Sequence, residues 1–403
     1  MARVRRPRYL CFFWDDHPFL DIGCLLRGTA EPSSFRQILA LSILVGEEVP
    51  ITSDEFDLVV STPSDRWVES GEADQAMVHR LAQKGVLLSD EDDDELATLR
   101  QRDAELERTQ WNLHGALYYL LTKWRGVDLR RLAEQDEAAD LLPPTPEVVR
   151  EFLERYGRPP RAFHSPPTPL AVHELPLVAR RGALYDILVR RRTTRSFDLA
   201  TPLRLDELAI VLDHVFGYHG YAPLFGEVTS LKRTSPSGGA LHPVEAYPLV
   251  RDVEGVEAGL YHYNARDHAL ELVAPLTPDE AGSVATAFVC GQTYFSAAHV
   301  LFVLTARFDR AFWKYRRHQK GLASVLMDAA HLSQTLYLVA TDLGLGAFVT
   351  VAVNSADIEE RLGLDGVREG VVAVCGCGKP AREPSPFDPA FLPYVPRETA
   401  LPG

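Results

Sequence analysis

The sequence predicts an α+β protein: one central mixed sheet flanked by helices, preceded by a mainly helical N-terminal domain. Three observations predict it. From about residue 180 to 380, segments with helical apolar spacing alternate with short apolar runs of strand length. Residues 1–140 carry amphipathic patterns of their own. Between them, residues 141–179 are crowded with proline, Pro143, Pro144, Pro159 and Pro176 included. Proline lacks the backbone donor and fixes its dihedral, so this stretch reads as a linker. The 403 residues thus divide into an N-terminal domain (1–140), a linker (141–179) and a larger domain (180–403).

In the N-terminal domain, Gln37 to Leu44 has helical apolar spacing, and Asp54 to Ser61 reads as a helix end or a short strand. Ala76 to Leu88 predicts an amphipathic helix with Met77, Val78, Leu81, Val86 and Leu87 on one face, and Gly85 sits where its C-terminus would be. The acidic run Asp90 to Glu95 is a solvated loop or helix start, with a docking site for a basic peptide as the alternative. Glu105 to Arg125 predicts a further helix. Within the linker only Glu147 to Tyr156 can form one. In the larger domain, Leu184 to Arg192 and Leu205 to Phe216 read as helices, and Glu245 to Arg251, Gly259 to Tyr263 and Ala298 to Ala306 as strands. About Phe312 to Leu343 predicts one long helix, and Ala347 to Val353 and Val371 to Cys375 predict buried strands.

The charge balance is 42 − 56 = −14, which disfavours nucleic acid and anionic membranes as partners. The apolar stretch Ile38 to Val45 is far too short for a membrane span, and Tyr9 to Trp14, stopped by Asp15 and Asp16, is too short for a signal-peptide core. Five scattered cysteines fit a reduced, cytoplasmic protein. No glycine-rich dinucleotide fingerprint and no P-loop occurs. No metal site is predicted: Cys375-Gly376-Cys377 offers two thiols where a closed zinc site needs about four ligands. The histidines show no paired ligand spacing, and His242 alone sits in a segment of interest.

Four segments could carry chemistry. Arg190 to Phe197 sets four arginines and two threonines at a helix end. Guanidinium forks match phosphate oxygens, and cations complementing a helix C-terminus are the alternative. In Ser235 to Pro243, small residues and a diglycine allow a backbone to approach a flat ligand closely, or make a plain loop. Lys314-Tyr315 is either an exposed basic helix end or a proton-transfer pair, since neighbouring cations favour a phenolate. Gly344-Leu345-Gly346 turns a helix into a buried strand.

Together these segments resemble the FMN-dependent nitroreductase-like superfamily, and within it the SagB-type dehydrogenases, which form thiazoles and oxazoles in peptide natural products. The matching pieces are RRTTRSF (191–197), SPSGGALHPVEAY (235–247), GLYHY (259–263), KYRRHQKGLASVLMDAAHLSQTLYLVATDLGLGA (314–347) and VVAVCGCGKP (371–380). The resemblance implies non-covalent FMN at a homodimer interface. It implies that Arg191, Arg192, Thr193 and Arg195 hold the FMN phosphate, helped by Lys379. It places Ser235, Pro236, Ser237 and Gly239 along the flavin, often from the partner chain. Leu345, Gly346, Thr350 and Val351 match the turn and strand facing the ring, Gln334 a polar helix position near it, and Lys314 and Tyr315 the catalytic pair of azoline-oxidising members. This chain departs from the pattern in two places: Thr193 stands where serine is usual, and Ala352 and Val353 where glycines are frequent. Phe35 to Leu88 is loosely similar to small winged-helix modules that hold leader peptides.

The expectation is an FMN-dependent dehydrogenase that matures a ribosomally made precursor peptide by oxidising an azoline to an azole, with a cyclodehydratase as a partner. Two alternatives stand beside it. One is a nicotinamide-fed flavin reductase of dehydroamino acids, nitro compounds or quinones. The other is a non-catalytic peptide-binding partner retaining FMN.

Overall fold

The N-terminal region begins with β1 (Arg3–Arg5), β2 (Leu10–Phe19), β3 (Ser33–Ser42) and β4 (Glu47–Ile51). The computed structural model describes residues 2–19, 33–71, 75–133, 146–158, 160, 163, 166–176, 182–225, 228–389 and 391. In it β2, β3 and β4 form an antiparallel sheet in that order. The helical spacing of Gln37 to Leu44 therefore does not become a helix. That segment lies in and just after β3, whose backbone is paired on both sides, and a short apolar run carries no period that separates the two states.

Asp54 to Ser61 falls in a full helix, α1 (Ser53–Ser61). It is started by a capping box in which Thr52 Oγ1 accepts from the Glu55 N–H and Glu55 accepts from the Thr52 N–H. β5 (Val68–Glu69), α2 (Gln75–Gln83) and β6 (Leu88–Ser89) follow, and β1 pairs between β5 and β6. The helix predicted over Ala76 to Leu88 is thus shorter. Gly85, at φ +64°, turns the chain where a Cβ would meet Ser42 Oγ at 2.8 Å, and Leu88 joins a strand. The acidic run starts α3 (Asp94–Thr109), with Asp93 accepting from the Leu96 N–H. The predicted helix over Glu105 to Arg125 is split. Gln110 ends α3 in the left-handed conformation, and Asn112 caps α4 (Leu113–Leu121) by accepting from the His114 and Gly115 N–H groups. α5 (Leu129–Ala133) and α6 (Pro146–Tyr156) come next. Part of the linker, with Pro143, Pro144 and Pro159, lies outside the described residues.

The larger part comprises α7 (Ala183–Arg190), α8 (Leu205–Phe216), β7 (Gly220–Phe225), β8 (Val228–Lys232), β9 (Val244–Val250), β10 (Gly259–Asn264), β11 (Ala269–Pro275), α9 (Pro278–Phe288), α10 (Thr293–Ser296), β12 (Val300–Arg307), α11 (Phe308–Lys314), α12 (Gly321–Asp342), β13 (Gly346–Thr350), α13 (Ser355–Leu362) and β14 (Glu369–Gly378). Its sheet has the order β11-β10-β9-β12-β14-β13. β12 is central and buried on both faces. Val300, Phe302 and Leu304 pack with α8 and α12, while Leu301 and Val303 pack with α9 and α13. Cys375 and Cys377 share one face of β14 inside this core, where burial pushes both thiols up, Cys377 to about 12.

The predicted helix from about Phe312 to Leu343 is two helices. Arg317 takes a left-handed backbone (φ 51°), its N–H donates to the Gln110 carbonyl (2.9 Å), and Asn112 Nδ2 donates to its carbonyl (3.1 Å). The α3–α4 turn thus holds a break between α11 and α12. It puts Lys314 and Tyr315 at the end of a short helix rather than at the start of a long one. Around this break Tyr9, Leu106 and Trp111 share one apolar cluster with Phe308, Phe312 and Val367. Trp111 Nε1–H donates to the Val367 carbonyl (2.9 Å). Nearby, the buried Glu359 carboxylate accepts from Lys123 Nζ (2.7 Å), Tyr119 Oη (2.9 Å) and the Val371 N–H (3.0 Å), which satisfies a charge that burial would otherwise penalise. Burial and that carboxylate push the Tyr119 phenol well above its ordinary range, so it remains a donor.

Candidate active site

After α7 the chain runs extended along the free edge of β13. Thr193 bridges Ala347 in parallel, and the Thr194 N–H donates to the Ala347 carbonyl (2.8 Å). Further on, the Asp198 N–H donates to the Lys379 carbonyl (2.9 Å) and the Ala381 N–H to that of Ser196 (3.0 Å). Alternate side chains of an extended segment face opposite ways. Arg191 and Thr193 meet Tyr337 of α12: the guanidinium stands 5.2 Å from its ring, and the hydroxyls are 3.0 Å apart. Arg195 pairs with the half-buried Asp388 (3.1 Å), and Arg192 is exposed. Gly346 is required by close approach, since a Cβ would lie 2.5 Å from Thr194 Cγ2. Leu345, Gly346 and Thr350 are buried. The strand predicted to Val353 ends at Thr350, and Val351 is 78% exposed. Gln292 reaches the Thr350 hydroxyl (3.4 Å) and the Ala352 carbonyl (3.0 Å) through its amide, fixing the turn after the strand. Gln334 is exposed on α12.

The second assembly runs along α12 from Thr335 back to Ser324. Ser235 Oγ is 2.6 Å from Thr335 Oγ1. Asp328, buried on α12, accepts from Ser237 Oγ (2.6 Å) and from the Gly238 N–H (3.0 Å), while the His242 N–H donates to Ser237 Oγ (2.9 Å). His242 Nε2 is 2.9 Å from the Leu231 carbonyl. Burial and Arg233 hold its imidazole below the ordinary value, which favours a neutral ring. Pro236 is exposed. Lys314 and Tyr315 converge on the diglycine. A Cβ on Gly239, itself at φ +64°, would lie 2.6 Å from Lys314 Nζ and 2.9 Å from Tyr315 Oη. Only glycine leaves the space those two heads occupy.

The nitroreductase family profile matches residues 188–379, which hold both assemblies. A protein of Methanocaldococcus jannaschii provisionally named a nitroreductase is 32% identical over 181 residues, 44% of this chain and 83% of that protein. The chain belongs to the nitroreductase family. Two further relatives are the trifolitoxin-processing protein TfxB of Rhizobium leguminosarum (29% identical; 41% of this chain, 45% of that protein) and the microcin B17-processing protein McbC of Escherichia coli (30% identical; 34% and 50%). The chain spans about half the length of these two. Within the family it is a SagB-like member. Among solved structures, the E. coli microcin synthetase McbBCD complex with truncated pro-MccB17 is similar at TM-score 0.43 and 22% identity, over 62% of this chain and 92% of that one.

In this nitroreductase-family chain the predicted site residues fall into two groups. Arg191, Thr193, Arg195, Lys379, Leu345 and Gly346 gather at the β13 edge, while Ser235, Ser237, Gly239, Lys314 and Tyr315 gather at the loop. Ser324, which faces Gly238, and Tyr337, which faces Arg191, are thirteen positions apart on one helix. At about 1.5 Å per residue they stand roughly 20 Å apart along it. One copy of the chain therefore does not bring Tyr315 to the arginine strip.

Sequence reasoning missed Asp328, Tyr337, Gln292 and Asp388. Asp328 left a signal: it is a carboxylate in the buried register of an apolar helix, beside Val325, Ala329 and Leu332. Asp328→Ala would strip the acceptor from Ser237 and Gly238. We expect a stability loss of about 1–3 kcal/mol, read by denaturant unfolding. Asp328→Asn keeps one acceptor oxygen and should lose less. Equal stability of the alanine variant and wild type would show that the loop does not depend on this carboxylate.

Proposed function

We propose that this chain is an FMN-dependent dehydrogenase that matures a ribosomally made precursor peptide, oxidising an azoline to an azole. The observation that carries the reading is the convergence of Lys314 Nζ and Tyr315 Oη on Gly239, beside an open cavity. Relatives named for trifolitoxin and microcin B17 processing support a peptide substrate, and a cyclodehydratase that forms the azoline would then be a partner. Residues 1–140 would recognise the precursor.

The donors at the β13 edge suit a flavin phosphate. Arg191 and Arg192 have no carboxylate partner among the described residues, and Thr193 and Lys379 lie on the same strip. Arg195 is shared with Asp388. Leu345, Gly346, Thr350 and Val351 would support the ring, and Ser235 to Gly239 would cover it. When bound, FMN would supply a two-electron acceptor. The chain's own part is proton removal: Tyr315 Oη, acting as the phenolate that the Lys314 ammonium beside it stabilises, would take the acidic proton of the substrate carbon and become the neutral phenol while the neighbouring carbon's hydride goes to the flavin.

Homodimerisation would unite the two assemblies across copies. The α7 face supports this, since Leu184, Tyr185, Leu188 and Val189 are all exposed. Leu184→Asp with Leu188→Asp should give a monomer by light scattering that no longer retains FMN. A wild-type monomer that holds FMN would overturn the composite site. The function itself is tested anaerobically. An azoline-bearing peptide should bleach the yellow protein and leave as the azole. Bleaching by a reduced nicotinamide alone, with no response to azolines, would favour the reductase.

A further inference from the structure

A cavity of about 450 Å³ opens beside Lys314, lined by Ser230, Leu241, Arg307, Arg310, Trp313 and Lys314. Its charge is one-sided. Asp309 is the only carboxylate among the lining residues, and it accepts from the Arg310 backbone N–H (2.7 Å). Arg307 leans on Glu245 at 3.6 Å. Arg310 uses its Nε–H on the Leu241 carbonyl, which anchors the guanidinium on the loop wall. Its two terminal nitrogens make no hydrogen bond to the described residues, and neither Arg310 nor Lys314 has a carboxylate within ion-pair distance among them. On a chain of net charge −14, two cations without counter-charge on one cavity wall call for an anion from outside. The half-exposed Trp313 indole adds a flat apolar surface.

We propose that this cavity binds a carboxylate of the substrate peptide, gripped by the free side of the Arg310 guanidinium with Lys314 beside it. A carboxylate presents two oxygens at the spacing of a guanidinium fork, whereas a neutral amide offers one acceptor and no charge. The inference rests on the reading that the Lys314–Tyr315 wall is the substrate side. It makes Arg310 a specificity-determining residue, and the peptides accepted here carry an acidic side chain or a free C-terminus next to the modified residue.

The test uses hippurate, which has one ring, one peptide bond and one carboxylate, and its neutral amide. Both are titrated calorimetrically into the purified flavin-loaded protein. Hippurate should bind at least about tenfold more tightly. Arg310→Met should abolish the preference and Arg310→Lys should keep most of it. Equal affinities, no saturation by either compound, or a preference that survives Arg310→Met would overturn the proposal. Acetyl-Ala-Glu-Ala-amide and acetyl-trialanine with a free C-terminus distinguish the two sources of the carboxylate, and tighter binding of either one supports it. No turnover enters the measurement, so it can succeed where the dehydrogenase reading fails. Conversely, if an azoline peptide bleaches wild type and Arg310→Met with the same KM, the dehydrogenase reading stands and this inference falls.

Discussion

Tyr315→Phe should slow single-turnover flavin reduction by an azoline peptide about 10²–10⁴-fold, while the protein keeps its flavin. The substitution keeps the ring and deletes only the phenol oxygen, which a Cβ at Gly239 would approach to 2.9 Å. Any loss therefore reports proton transfer or hydrogen bonding rather than packing. The flavin should be retained because Tyr315 stands with the loop, roughly 20 Å along α12 from the arginine strip. Lys314→Ala should lose turnover too, because it removes the cation that stands beside the phenol oxygen at Gly239. Flavin reduction in Tyr315→Phe as fast as in wild type would show that the base lies elsewhere.

Arg191→Ala with Arg195→Ala should weaken FMN binding roughly 10²–10⁴-fold, read as flavin lost on dialysis. Each guanidinium-to-phosphate hydrogen bond contributes about 1.5–3 kcal/mol, and each 1.4 kcal/mol is about tenfold. The two arginines should not behave alike. Arg191 faces only the Tyr337 ring, so its loss costs the phosphate contact. Arg195 also neutralises the half-buried Asp388, so its loss leaves a carboxylate unpaired and should lower stability as well. Arg192, exposed on the other side of the strip, should cost less than either. Wild-type flavin content in the double variant would remove the phosphate from this edge.

Strongly patterned segments were legible in the sequence. The β12 run has no polar residue from Val300 to Leu304, as a strand buried on both faces requires. The Leu205–Phe216 helix shows its apolar stripe. The site motifs were legible because their residue types are chemically distinctive: glycine where a Cβ would collide, and arginines clustered on one short extended segment. Asp328, Gln292 and Asp388 were not, since each acts through a partner far away in the chain.

By itself, then, the sequence determined the α+β class, the apolar strands and helices of the larger part, and the residue types that stand at the candidate site. Only the tertiary structure decided that Gln37 to Ser42 is strand rather than helix. Pairing with β2 and β4 satisfies its backbone, an energy that no local pattern contains. It also decided the break at residues 315–320. Residues 315–320, Tyr-Arg-Arg-His-Gln-Lys, hold neither proline nor glycine and would continue a helix, but the α3–α4 turn takes the Arg317 N–H and carbonyl as partners and holds the chain open. That break sets Lys314 and Tyr315 against the diglycine. The chemistry is written in the residue types, while their meeting depends on hydrogen bonds from a turn some two hundred positions earlier in the chain.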